Sequence, residues 1–123
     1  SGNESAPATP ELITGVEDSA FSGVLLGRSF PNPFRTRTRI AYRVPAPGGA
    51  VALRVYDVAG RLVRSLVHET QSADNYSVVW DGRDATFERV RAGTYVIHLQ
   101  AVDRNTGEKT VKTAPVVVAT RLN

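Results

Sequence analysis

The stretch Thr38-Arg39-Ile40-Ala41-Tyr42-Arg43-Val44-Pro45 decides the fold of this chain, because its apolar and polar residues alternate. Successive side chains of a β-strand point to opposite faces, so Ile40, Tyr42 and Val44 fall on one face and the arginines on the other. The stretch therefore predicts a half-buried strand, with one face in a core and the other toward solvent.

The same period of two recurs along the rest of the chain. Val51, Leu53 and Val55 alternate with other residues, and the turn formers at 57–61 predict a hairpin that returns over Leu62 to His68. Further alternating or apolar segments are Tyr76 to Trp80, Tyr95 to Ala101 and Val111 to Thr120, separated by turn signals at Asp81-Gly82, Gly93 and Asn105-Thr106-Gly107. Short strands with turn signals roughly every 10 to 15 residues, and no amphipathic helix, predict an all-β fold. We expect an immunoglobulin-like antiparallel β-sandwich of about seven strands.

Composition limits the class of protein. The chain has 123 residues and no cysteine, which fits one domain and excludes disulfides, thiol nucleophiles and cysteine-based zinc sites. No apolar run approaches the roughly 20 residues that a membrane helix needs. Residues 1–20 are rich in Ser, Pro, Ala, Thr and Glu and predict a disordered acidic linker, followed by the sandwich at 21–123. Residues 1–27 hold four acids and no base, which leaves 15 bases against 8 acids, or +7, in the remainder.

Five short motifs follow one another along the chain. They are Pro31-Asn32-Pro33-Phe34, Thr38-x-Ile40-x-Tyr42-x-Val44-Pro45, Val51-x-Leu53-x-Val55-Tyr56-Asp57-x-x-Gly60-Arg61-x-Val63-x-x-Leu66, Trp80-Asp81-Gly82-Arg83-Asp84 and Gly93-x-Tyr95. In this order they resemble two related groups of domains. One is the immunoglobulin-like domain named after the flagellar hook-capping protein FlgD, and the other is the type IX secretion C-terminal sorting domain of Bacteroidota and their relatives. The resemblance covers about residues 24 to 119.

Placement favours the sorting group, provided that Asn123 is a natural terminus. Asn32-Pro33-Phe34 lies about 90 residues before Asn123, and Lys112 precedes the apolar Val116-Val117-Val118. The resemblance implies a non-catalytic sorting and anchoring domain of a secreted bacterial protein, exported through the periplasm to the outer-membrane cell surface. It also implies recognition by the outer-membrane export machinery, and a sortase that cleaves between about Ser5 and Ser22 and joins the cargo to anionic lipopolysaccharide.

The alternative is a FlgD-like structural or accessory module in a multidomain exported enzyme. The Trp80-Asp81-Gly82-Arg83-Asp84 element resembles that group more closely. In either case the upstream domain of the same polypeptide is an expected partner.

A row of arginines is the best candidate for a contact surface. Arg35, Arg37, Arg39 and Arg43 are predicted on the solvent face of one strand, where guanidiniums could bind anionic groups such as phosphates. Charged side chains on a strand also discourage edge-to-edge association, so edge protection is the alternative explanation. We predict no nucleic-acid partner, because no interleaved aromatic residues provide a platform for stacking bases.

Carboxylates and aromatic residues carry two further hypotheses. Asp81 and Asp84 are candidates for calcium ligands, and the alternative is that Asp81-Gly82 closes a turn and Asp84 pairs with Arg83 or Arg89. Trp80 could stack on a sugar if its indole were exposed, which would make the chain a carbohydrate-binding module. Its alternation with neighbouring apolar residues indicates instead that Trp80 belongs to the core.

No pattern of catalytic residues is present. His68 and His98 fall in separate predicted strands without metal-ligand spacing, and no Gly-x-Ser-x-Gly motif occurs. We therefore predict that the chain is not an enzyme and binds no cofactor. Within Asn32-Pro33-Phe34 the prolines are expected to fix a bend, and Phe34 to plug the end of the sandwich.

Overall fold

Residues 23–120 are described by a computed structural model, in which they form seven β-strands and no helix. The strands are β1 (Leu25–Phe30), β2 (Thr38–Val44), β3 (Gly49–Asp57), β4 (Leu62–Gln71), β5 (Asp74–Trp80), β6 (Gly93–Asp103) and β7 (Lys109–Val118). They build a three-stranded sheet in the order β1-β2-β5 and a four-stranded sheet in the order β4-β3-β6-β7, all neighbours antiparallel. The predicted all-β sandwich is confirmed, and the linker predicted for residues 1–20 lies outside the described part. Nowhere in that part is there a helix able to cross a bilayer.

Strand β2 shows the alternation that its sequence predicts. Thr38, Ile40, Tyr42 and Val44 are buried, whereas the residues between them are exposed. The pairing of β2 with β5 places Thr38 opposite Trp80 at one end and Val44 opposite Asp74 at the other. The apolar face of β2 therefore forms the centre of the three-stranded half of the core.

Strand β1 is not among the segments that alternate in the sequence. Its register against β2 shifts between Leu26 and Ser29, where β1 contains one extra residue. Such a β-bulge breaks the period of two and redirects side chains locally. As a result Ser29 is buried opposite Ile40, while Phe30 stands on the outer face opposite Arg39.

The predicted hairpin between β3 and β4 is also confirmed. The Asp57 carboxylate accepts hydrogen bonds from the backbone N–H groups of Ala59 and Arg61, both 2.9 Å long. Gly60 takes a φ of 87°, a conformation that glycine adopts without steric cost. Strand β4 continues to Gln71, three residues beyond the predicted end at His68.

The core lies between the two sheets. Its central layer comes from β3 and β6, where Leu53 pairs with Leu99 and both are fully buried. At the start of β3, a Cβ on Gly49 would overlap the carbonyl oxygen of Val102, so only glycine allows these strands to approach so closely. Strand β7 closes the four-stranded sheet and forms its edge.

Candidate functional site

The side chain of Asn32 binds the edge of β7 that faces away from β6. Its Nδ2 donates to the carbonyl oxygen of Pro115 at 3.3 Å, and its Oδ1 accepts from the backbone N–H of Val117 at 2.9 Å. One carboxamide thus provides the donor and the acceptor that a neighbouring strand would offer. Proline is tolerated at this edge because it has no backbone N–H that would need an acceptor, and Pro115 contributes only its carbonyl oxygen to the contact.

The backbone of Phe34 pairs with the same edge of β7. Its N–H donates to the Val117 carbonyl at 3.0 Å, and its carbonyl accepts from the N–H of Ala119 at 2.7 Å. These bonds make an isolated parallel bridge between Phe34 and Val118. The structure therefore joins two parts of the sequence, Asn32-Pro33-Phe34 and the terminal apolar strand, that are separated by more than 80 residues.

Phe34 also anchors the segment in the core, as predicted. Its side chain is 1% exposed and meets the Trp80 ring edge-on at a centroid distance of 5.4 Å. Trp80 in turn meets Tyr95 edge-on at 5.6 Å. The start of the segment is held as well, because the hydroxyl of Thr38 in β2 donates to the carbonyl oxygen of Pro31 at 2.7 Å. The segment from Pro31 to Phe34 is therefore fixed at both ends.

The prediction of four arginines in a row on one strand is wrong in part. Strand β2 begins at Thr38, so Arg35 and Arg37 precede it and only Arg39 and Arg43 share its solvent face. Arg35 turns toward the end of the described chain, where its Nε donates to the Thr120 carbonyl at 3.3 Å. The physical reason is that the segment from 32 to 35 follows the edge of β7 instead of extending β2.

Lys112 lies apart from the Asn32 contact. It is exposed in β7 opposite Leu99, on the part of the strand that precedes Pro115. The structure thus brings Asn32, Phe34 and Arg35 together at the C-terminal half of β7 and leaves Lys112 outside that group.

Asp81 and Asp84 order the loop between β5 and β6. The Asp81 carboxylate accepts from the backbone N–H of Arg83 at 3.1 Å and from the Arg64 guanidinium at 3.3 Å. Asp84 accepts from the Thr86 hydroxyl at 2.7 Å and from two backbone N–H groups, of Thr86 and Glu88. Hydrogen bonding by the Thr86 hydroxyl, then by the Glu88 backbone, lowers the pKa of Asp84 below its ordinary value.

These contacts bear on the turn-closing interpretation of the two carboxylates. They match the turn-closing role, although Asp84 caps the loop rather than pairing with Arg83 or Arg89. Within residues 23–120, no three His, Cys, Asp or Glu side chains are grouped so that they could hold a metal ion. Arg64 was not singled out from the sequence, yet it contacts Asp81, the Arg83 carbonyl and the ring face of Phe87 at 5.0 Å.

Trp80 is a core residue and not a sugar platform. It is fully buried, and its indole N–H donates to the carbonyl of Arg83 at 2.9 Å. The exposed indole on which the carbohydrate-binding alternative depends is therefore absent. The two histidines lie on separate strands as predicted, His68 exposed on β4 and His98 half-buried on β6 against Tyr56.

Solved structures with similar folds come from two kinds of protein. PorU from Porphyromonas gingivalis, described as a dimeric latent form, superposes with a TM-score of 0.61 over 80% of this chain, at 22% sequence identity. FlgD from Xanthomonas campestris, described in connection with hook capping in flagellar assembly, gives 0.53 over 76% at 25% identity. FlgD from Pseudomonas aeruginosa gives 0.53 over 66% at 23% identity.

The chain corresponds to only part of these proteins. It covers 9% of the PorU chain, 60% of the P. aeruginosa FlgD chain and 67% of the X. campestris one. Among curated proteins, no sequence matches it. A family model for the FlgD Ig-like domain, however, matches residues 34–105, which include both strands of the β3–β4 hairpin and the Trp80 loop. Since that match extends over more than half of the 123 residues, the chain belongs to the family of FlgD Ig-like domains.

Proposed function

We propose that this domain is a non-catalytic sorting and cell-surface anchoring domain of a secreted bacterial protein that uses the type IX route. The observation that supports the proposal is the docking of Asn32 and Phe34 on the edge of β7. The two elements that mark sorting domains in the sequence thereby become one folded feature. The domain shares its fold with part of PorU from Porphyromonas gingivalis.

The edge of β7 offers a physical basis for recognition. Its C-terminal half is occupied by Asn32 and Phe34, whereas the outward peptide groups of Lys109, Val111 and Thr113 pair with no strand formed by residues 23–120. Unpaired edge groups can accept an added strand from a partner. In this proposal the outer-membrane export machinery recognises that edge only when Asn32 and Phe34 have fixed its other half. A sortase then acts upstream of the domain and transfers the cargo to lipopolysaccharide.

Export of a reporter tests the proposal directly. A periplasmically targeted fluorescent protein is fused to residues 20–123 and expressed in a type IX-competent host and in a matched strain without the translocon. We expect the reporter at the cell surface or in the medium of the first strain and in the periplasm of the second. A reporter retained in the periplasm of both strains contradicts the sorting function.

A point substitution tests the role of the β7 edge. Asn32→Ala removes both side-chain hydrogen bonds to β7 and should reduce export several-fold. Asn75→Ala is the matched control, since Asn75 is exposed on β5 and its side chain forms no hydrogen bond with any residue of the described part of the chain. The purified domains are compared by thermal unfolding, so that export is scored only for variants folded at the growth temperature. Equal export of a folded Asn32→Ala variant rules out recognition through this edge.

A FlgD-like accessory module is the second candidate. The family match over residues 34–105 favours it, because that match includes neither Asn32 nor β7. An accessory module should raise the thermal midpoint of its upstream neighbour in the natural polypeptide without moving a reporter across the outer membrane. Comparing the precursor with and without residues 23–120 measures that effect.

A further inference from the structure

A basic groove lies on the outer face of the three-stranded sheet. It has a volume of about 450 Å³. Its main lining residues are Arg28 and Phe30 of β1, Arg37, Arg39 of β2 and Val79 of β5.

The bulge in β1 and two small residues create the concavity. Phe30, Arg39 and Val79 form one row across the three strands, with Arg39 between the two apolar side chains. In the next row Ala41 faces the bulge, and a Cβ on Gly27 would lie 3.1 Å from the Ala41 carbonyl oxygen. Because neither Ala41 nor Gly27 carries a large side chain, the surface is depressed beside the row that contains Phe30.

The apolar part of the groove is unusually open. Phe30 of β1 is 79% exposed and Val79 of β5 is 48% exposed. A large aromatic side chain held in water on a strand is a typical anchor point for a partner's apolar side chain.

The charge of the groove is of one sign. The outward-facing residues of β1, β2 and β5 include no aspartate or glutamate. In the part of the chain that the structure describes, the guanidiniums of Arg28, Arg37 and Arg39 form no ion pair or hydrogen bond. Three unpaired cations around an apolar floor are complementary to a ligand that is both acidic and partly apolar.

We propose that this groove binds an extended acidic peptide segment of a partner protein. Carboxylates of the segment pair with Arg37 and Arg39, since a guanidinium can donate two parallel N–H hydrogen bonds to the two oxygens of a carboxylate. An apolar side chain of the segment inserts over Ala41, beside the row that Phe30, Arg39 and Val79 form. A concave floor suits an inserted side chain better than the flat surface of a membrane. The proposal is independent of the sorting function.

Fluorescence anisotropy on the full chain tests this binding. The probe is a labelled heptapeptide with glutamates two residues on either side of a leucine, and the reference probe has glutamine at both positions. We expect the glutamate peptide to bind at least 10-fold more tightly at low salt and to weaken as salt rises. Equal affinity for the two peptides overturns the proposal.

Two matched variants separate the groove from general charge. Arg37→Glu with Arg39→Glu should weaken binding at least 10-fold, whereas Arg91→Glu with Arg104→Glu makes the same charge change at exposed positions elsewhere and should stay within about twofold. Phe30→Ser leaves the charge unchanged and should weaken binding about fivefold. Circular dichroism confirms that each variant is folded. Equal losses in the two double variants, or no loss in Phe30→Ser, overturn the proposal.

A vesicle arm distinguishes the competing occupant. Vesicles containing 30% anionic phospholipid are tested against neutral ones with the same variants. Binding to anionic vesicles that requires Arg37 and Arg39, without binding of the glutamate peptide, would identify a lipid surface and refute the peptide proposal.

Discussion

Phe34 is the single side chain on which the end of the sandwich most depends. It is buried against Trp80, and its backbone holds the edge of β7. Replacing it with alanine leaves a cavity and removes an aromatic contact. We therefore expect Phe34→Ala to lower the free energy of unfolding by about 3 to 5 kcal/mol, measured by urea denaturation.

Phe30 provides an internal control for that prediction. It lies four residues earlier and is 79% exposed, so Phe30→Ala removes almost no buried contact. Its effect should stay within about 0.5 kcal/mol. Similar losses for the two variants would show that Phe34 is not a core residue in solution.

Asp57 and Asp84 make the stability of the fold depend on pH. The pKa of Asp57 is lowered mainly by the hydrogen bond from the backbone N–H of Arg61. The pKa of Asp84 is lowered mainly by the hydrogen bond from the Thr86 hydroxyl. Because the unfolded chain binds the proton more readily than the folded one, both carboxylates stabilise the fold at neutral pH. That contribution is lost as the pH falls below the ordinary carboxylate range, between about pH 5 and pH 2.

Substitution by asparagine checks the sign of this effect. Asp57→Asn with Asp84→Asn keeps an acceptor oxygen at each loop but removes the titration. The thermal midpoint of the natural protein should fall between pH 6 and pH 2.5, and that of the double variant should fall less. A double variant that loses as much as the natural protein over this range would mean that other groups cause the acid sensitivity.

At the scale of the element, the two halves of the β7 edge differ. The C-terminal half is hydrogen-bonded to Asn32 and Phe34, and the N-terminal half is not. The backbone N–H of Val117 donates to Asn32 Oδ1. The backbone of Thr113 points toward the same edge, where no strand formed by residues 23–120 pairs with it. Proline removes an N–H and fixes φ. We expect Val117→Pro to lower the free energy of unfolding by about 1 to 2 kcal/mol more than Thr113→Pro.

Urea denaturation of the two proline variants measures this difference. Each changes one residue of the same strand and faces the same edge, so the comparison isolates the Asn32 contact. If Thr113→Pro is the more damaging change, the N-terminal half of β7 is engaged by a contact of its own.

Local patterns were sufficient to predict most strands but not β1. The apolar face of β2 and the turn at Gly60 follow from period and turn chemistry within a few residues. In β1 the bulge between Leu26 and Ser29 destroys the period, so the segment carries no alternating signal. The length of β4 was underestimated for a related reason, since its outer half is exposed and varied in polarity.

The candidate site was predicted in its parts and not in its assembly. Asn32-Pro33-Phe34 and the apolar end of β7 were both identified from the sequence, but the bonds between them span 83 to 85 residues. No local pattern encodes a side-chain amide that substitutes for a strand. The same docking moves Arg35 out of the predicted row, so the misplaced arginine and the missed contact have one cause.

On the scale of the whole molecule, three aromatic rings in successive contact link the two sheets. Trp80 belongs to the three-stranded sheet and Tyr95 to the four-stranded sheet, and Phe34 meets Trp80 from the segment that is docked on β7. Every one of these rings is largely buried. Neither sheet can separate from the other without exposing Trp80 to water.

This arrangement predicts that the domain unfolds in one cooperative step. Trp80 is the only tryptophan of the chain, so its fluorescence reports on the contact between the sheets, while far-UV circular dichroism reports on the strands themselves. We expect the two signals to give the same urea midpoint, as small domains with a single core usually do. A fluorescence transition at clearly lower urea than the loss of strand signal would show that the sheets part first. The docking of Asn32 and Phe34 on β7 would then not couple the sheets to each other.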